Sequence, residues 1–271
     1  IALFGIAALL AMLPRVLERL VTRAVLAPVK SDKEAYRRLF LISVSALLLE
    51  LALIRWIGAE IRFFAYFKNF VLISIFLGFG LGFALGPKKA RLYPVALVGM
   101  AVLALLVFLF NDVSLYPAVM SEEQTWGHQV EDRAGRMAFL MGFFLVCLVT
   151  FFTVLCGTFA ALVQEMGSLF ERLPRIGAYT VNLVGSLVGI GAFNLLSYVE
   201  TPPVLWFAAG LVPLGVLPGT TRLRWTWASS VAITLCLVTW TDQRQAGSDL
   251  VHDWSPYYRM SLGRTQFADA K

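Results

Sequence analysis

The stretch MAFLMGFFLVCLVTFFTVLCGTFAALV, residues 137–163, runs for 27 residues without a charge. About 20 apolar residues in helical form cross the ~30 Å hydrocarbon core of a bilayer, so this run is long enough to cross at a tilt. Working outward from it, the chain shows similar blocks on both sides. Towards the N-terminus these are residues 1–13, 39–59, 71–86 and 93–110; towards the C-terminus they are 176–198, 204–217 and 225–240. The run 204–217 is short and holds Pro213. At ~1.5 Å per residue it covers only about 21 Å, the length of a kinked or re-entrant segment. The expected fold class is therefore all-α: a polytopic transmembrane helical bundle of seven to eight spans. Three regions follow. Residues 1–38 are a first span cut at its start plus a basic amphipathic surface helix, residues 39–241 are the bundle, and residues 242–271 are a polar tail.

Composition agrees with lipid as the solvent. Hydrophobic residues make up 59% of the 271 and charged residues 15%, where a soluble domain carries about 25% charge. Mean hydropathy is +0.75. The formal net charge of +6 does not indicate nucleic acid, because the basic residues sit in loops between spans, where they orient membrane proteins. By simple alternation, fourteen Lys and Arg fall on one side (within 15–38, 88–91, 172–175 and 222–224) and four on the other (Arg62, Lys68, Arg133, Arg136). The first side is then cytoplasmic. The tail lies outside if the last two runs both cross, and in the cytoplasm if only one does.

Few residues carry recognisable chemistry. Cys147, Cys156 and Cys236 lie in apolar runs without CxxC spacing and read as packing residues. His128 and His252 have no partner at metal-ligand spacing, so no metal is expected. No charged n-region or cleavage site makes residues 1–13 a signal peptide. In the run around residue 50, Glu50 sits mid-span, where a carboxylate costs about 2.5–3.5 kcal/mol on insertion scales. It is either a proton or cation site or a polar packing lock. Arg55, about 140° further around the helix, is poorly placed to pair with it. Asn182 and Asn194 are buried-amide candidates that either bond between helices or join Glu50 in contacting a ligand. Gly78, Gly82 and Gly86, and Gly185 and Gly189, repeat every four residues, a spacing that lets helices pack closely. Glu165 and Glu171 are expected to be solvated beside a short loop.

Four segments together resemble a known family. Residues 47–57 (LLLELALIRWI) are similar to the opening helix of membrane-bound, multi-span spermidine-synthase-like proteins, and residues 76–87 (FLGFGLGFALGP) to their glycine-rich helix. Residues 179–194 (YTVNLVGSLVGIGAFN) resemble a later helix of that group. Residues 254–260 (WSPYYRM) resemble the strand that begins the soluble aminopropyltransferase domain. The resemblance implies a bacterial inner-membrane protein whose bundle anchors a Rossmann-like domain. Such a domain transfers an aminopropyl group from decarboxylated S-adenosylmethionine to putrescine. Its nucleotide loop and catalytic Asp are not among these residues, so no catalytic residue and no cofactor are expected here. Decarboxylated S-adenosylmethionine is a substrate only if the soluble domain follows. Tyr258 also stands where soluble members carry Gln after the Tyr. The implied partners are the lipid bilayer and either that domain or other membrane subunits, and the bundle is expected to anchor the domain and to handle a polyamine or small cation. The alternatives are a small-molecule transporter and a non-catalytic subunit of a larger membrane complex.

Overall fold

The computed structural model describes residues 26–86, 92–111, 133–246, 250–256 and 259–263. The helices are α1 (Asp32–Glu60), the short α2 (Arg62–Tyr66), α3 (Lys68–Leu85), α4 (Tyr93–Phe110), α5 (Arg133–Arg172), α6 (Arg175–Tyr198), α7 (Pro203–Leu211) and α8 (Thr221–Ala246). A 3-10 turn, Pro213–Val216, follows α7, and an antiparallel hairpin of β1 (Leu250–Trp254) and β2 (Arg259–Gly263) follows α8. The fold is all-α apart from this hairpin. The first span of the sequence reading, residues 1–13, and His128 lie outside the described residues.

Among the described residues, four helices are long and apolar enough to cross a membrane: Asp32–Glu60, Tyr93–Phe110, Met141–Arg172 and Arg175–Tyr198. Asn69–Leu85 and Pro203–Val216 are apolar but shorter. Two differences from the sequence reading have local causes. Residues 32–38 belong to α1, not to a separate surface helix, because Ser31 caps it: the Ser31 hydroxyl accepts the Glu34 N–H at 3.3 Å, and Asp32 and Glu34 suit the positive helix start. Residues 164–172 continue α5, so Glu165 is buried within a helix.

Contacts between chain ends fix the direction of each helix. Ala27 donates its N–H to the Leu217 carbonyl at 2.9 Å, Leu26 bridges Pro218, and the Arg172 guanidinium donates to the Val29 carbonyl at 3.0 Å. The Gln164 amide accepts the Leu92 N–H at 2.8 Å and donates to the Leu85 carbonyl at 3.2 Å. The start of α1 therefore shares one end of the bundle with the ends of α3, α5 and the 3-10 turn. The ends of α1, α6 and α8 share the other end with the hairpin. The weak segment α7 plus 3-10 turn runs from the hairpin end to the α1-start end.

The core is built around α1, which packs on α6 and α7 and touches α3 and α5. Close approach needs glycine: a Cβ on Gly189 of α6 would lie 2.5 Å from the Val44 carbonyl of α1, and one on Gly82 of α3 would lie 2.6 Å from the Ala160 carbonyl of α5. Gly78, Gly86 and Gly185 sit at the same two contacts. Trp56 meets Phe207 edge-on at 5.2 Å and tightens α1 against α7.

Candidate functional site

Among the described residues, a polar cluster sits where the hairpin meets the bundle. The last turns of α1 deliver Arg55 and Glu60. The end of α6 brings Ser197, the start of α7 brings Trp206, the end of α8 brings Asp242, and the hairpin brings Trp254, Ser255 and Arg259. Thr201 helps set Trp206: its hydroxyl donates to the Leu196 carbonyl at 2.8 Å and accepts the Trp206 indole N–H at 3.0 Å.

Two guanidiniums organise the cluster. Arg55 donates to the Ser197 hydroxyl and to the Ser255 carbonyl. Its guanidinium lies 4.6 Å from the Trp206 ring centre and 5.6 Å from that of Trp254, within cation–π range. Arg259 donates to Glu60 at 2.9 Å, and the two side chains are 7% and 0% exposed. Its guanidinium also lies 5.6 Å from Trp254. Trp206 and Trp254 meet edge-on at 5.0 Å, and the Trp254 indole donates to Asp242 at 3.0 Å. Ser197 donates to the Pro256 carbonyl at 2.9 Å. Contacts of Trp254, Ser255, Pro256 and Arg259 join the hairpin to the ends of α1, α6, α7 and α8, and Arg55 ties α1 to α6 and α7. A buried ion pair of this kind breaks even only with good geometry, and losing one partner leaves an uncompensated charge. The cluster is thus a built junction between the hairpin and the bundle.

The residues singled out from the sequence are not brought together. Glu50 is 3% exposed and one of its carboxylate oxygens has no hydrogen-bond partner. Asn182 accepts the Ser43 hydroxyl at 2.9 Å, about 10 Å along α1 from Glu50. Asn194 is exposed and faces away from α1. A cavity of about 610 Å³ lies between α4 and α5, and none of the three lines it. Its wall is mainly Val, with Thr150, Thr153 and Thr158 donating to carbonyls of their own helix. Among the described residues no three His, Cys, Asp or Glu gather as metal ligands. Tyr257 and Tyr258 lie outside the described residues.

The polar residues that the sequence reading passed over are Arg38, Glu60, Gln164 and Ser197. Arg38 is 1% exposed and donates to the Ala27 carbonyl at 2.6 Å and to Glu34 at 2.9 Å. Glu34 and Arg38 stand at a four-residue spacing, the signal that could have revealed the pair. Glu60 and Ser197 carry no such signal, because their partners lie in distant sequence. No protein-family model, curated protein or solved structure matches this chain.

Proposed function

We propose that this chain is the integral-membrane anchor of a spermidine-synthase-like protein. In this reading the hairpin is the junction that fixes an aminopropyltransferase-like domain to the bundle. The observation that carries it is the Arg259–Glu60 pair at 2.9 Å, beside Trp254, whose ring both Arg259 and Arg55 approach. A flexible linker would suffice to tether a domain. A buried, charge-paired junction instead holds it in one orientation, and the WSPYYRM resemblance falls on the hairpin.

In the same reading α1, α3, α4, α5, α6, the α7–turn segment and α8 all cross the membrane, and residues 1–13 bring the count to eight. The basic excess at the α1-start end makes that end cytoplasmic. The hairpin is then on the opposite face of a bacterial inner membrane, away from a cytoplasmic aminopropyl donor, so aminopropyl transfer is the most exposed part of the proposal. The first test is the intact mass of the natively purified protein. A mass well above 30.0 kDa, by about one domain of 100–150 residues, supports the anchor, and transfer from decarboxylated S-adenosylmethionine is then assayed. A mass near 30.0 kDa sinks the anchor.

A second reading, passage of a polyamine or small cation, is favoured by the unpartnered oxygen of buried Glu50. Broken helices in transporters offer free carbonyls to ions. Here the Trp227 indole donates to the Leu211 carbonyl at 3.1 Å and the Tyr93 hydroxyl to the Leu214 carbonyl at 2.8 Å. The break is therefore occupied by protein donors, which ranks transport second. Glu50→Gln tests it: unchanged spermidine binding and uptake at normal expression leaves Glu50 a packing residue.

A further inference from the structure

Among the described residues, helix α6 differs from the other long apolar helices in how little of it is covered. Only 22% of its apolar stretch is buried, against 56–61% in the other three. On its outer face Leu187, Gly191, Asn194 and Tyr198 recur at helical spacing, all exposed. Gly191 is open: a Cβ there would meet nothing within 4 Å.

Asn194 is the feature lipid alone does not explain. It lies about 11 Å from the middle of a 24-residue helix, within the ~15 Å half-thickness of the hydrocarbon. Exposed threonines on the spans solve this problem locally: Thr150, Thr153 and Thr180 donate to carbonyls four residues back. Asn194 makes no such bond among the described residues. An amide facing hydrocarbon without a partner is costly, and Asn side chains join membrane helices by hydrogen bonding across them.

We propose that α6 is a dimerisation face, and that Asn194 pairs with Asn194 of a second copy of this chain. The amide carries both a donor and an acceptor, so it is complementary to itself across a two-fold axis. An isologous contact brings the same residue of both copies together. Gly191, one turn away, leaves room for the partner helix to approach, as small residues do at membrane helix contacts. The face is opposite to the Gly185–Gly189 contact with α1, so one helix serves two interfaces. The inference holds whether or not a soluble domain follows.

The test uses the full chain with Cys236 replaced by Ser, oxidised in native membranes. Asn194→Cys is expected to cross-link to twice the monomer mass, while Val149→Cys, exposed on α5, stays monomeric. Asn194→Leu, with its size kept and its amide removed, is expected to weaken dimerisation about tenfold in mild detergent. Gly191→Ile, which fills the open space without touching α1, is expected to weaken it further. A wild-type particle of one protein copy together with no Asn194→Cys cross-link overturns the proposal. So does a cross-link only to a chain of different mass, and so does an Asn194→Leu dimer as tight as wild type.

Discussion

Arg38 and Arg55 stand near opposite ends of α1, and each ties a non-helical segment to the bundle. The way they do it differs. Arg38 finds its partners nearby, the Ala27 and Pro28 carbonyls and Glu34, all within eleven residues. Arg55 reaches Ser197 and Ser255, 142 and 200 residues away. The Arg38 side chain itself makes only local contacts, although the segment it holds also reaches Leu217 through the Ala27 N–H. The Arg55 end exists only once α6, α7, α8 and the hairpin have assembled. Equivalent chemistry therefore acts over different ranges of sequence, and the junction at the Arg55 end is expected to be releasable without unfolding the bundle.

The sharpest way to break this comparison is at the buried pair of the distal end. Arg259→Gln removes the guanidinium paired with Glu60, whose side chain has no exposure, and is expected to cost up to about 3–5 kcal/mol of hairpin docking. The change reads out as rapid proteolysis near residues 247–263 and altered Trp254 fluorescence, with helical content intact. The double change Glu60→Leu with Arg259→Leu is expected to recover much of that loss, because a buried pair replaced by apolar groups is often neutral. If both variants lose the helical signal equally, the junction is not separable from the bundle.

At the local end the effect is smaller. Arg38→Gln frees the Ala27 and Pro28 carbonyls and is expected to cost about 1–3 kcal/mol. It loosens residues 26–30 and the Leu217 contact while leaving Trp254 fluorescence unchanged, so an equal response at both ends would erase the distinction. Gly189→Ala pushes a Cβ to 2.5 Å from the Val44 carbonyl and is expected to cost about 1–3 kcal/mol by separating α1 from α6. That loss appears in the thermal midpoint in detergent, and it weakens the Arg55–Ser197 contact more than the Arg38 end. Ser31→Ala removes the α1 cap and is expected to cost about 1 kcal/mol, confined to exchange of the first-turn amides.

The sequence carried the element boundaries of two helices closely, but not the start of α1, although the Ser31 cap that sets it is a local signal. The uncharged run 93–110 is α4, Tyr93–Phe110, and the run 176–198 is α6 but for one residue. Where signals were mixed, boundaries moved. Gln164 and Glu165 read as the edge of a loop, yet α5 continues to Arg172, because Gln164 is consumed by Leu85 and Leu92 at the turn between α3 and α4. The site was less legible than the elements. Glu50 stands out in a sequence because a charge in an apolar run is visible, but visibility says nothing of partners. Glu60 and Arg259 look like ordinary interfacial charges until the fold closes a separation of 199 residues between them.

What the amino-acid sequence determined by itself was the solvent and the class of fold, since long uncharged runs leave a backbone no option in lipid except the helix. It also placed the small residues at which helices can meet. Which helices meet there, that the hairpin is locked between Arg55 and Glu60, and that Asn182 accepts the Ser43 hydroxyl while Asn194 faces outward were decided by tertiary structure alone. The physical reason is range. Helix formation depends on neighbours within four residues, whereas pairing a buried charge or amide depends on which distant segment packing brings within about 3 Å.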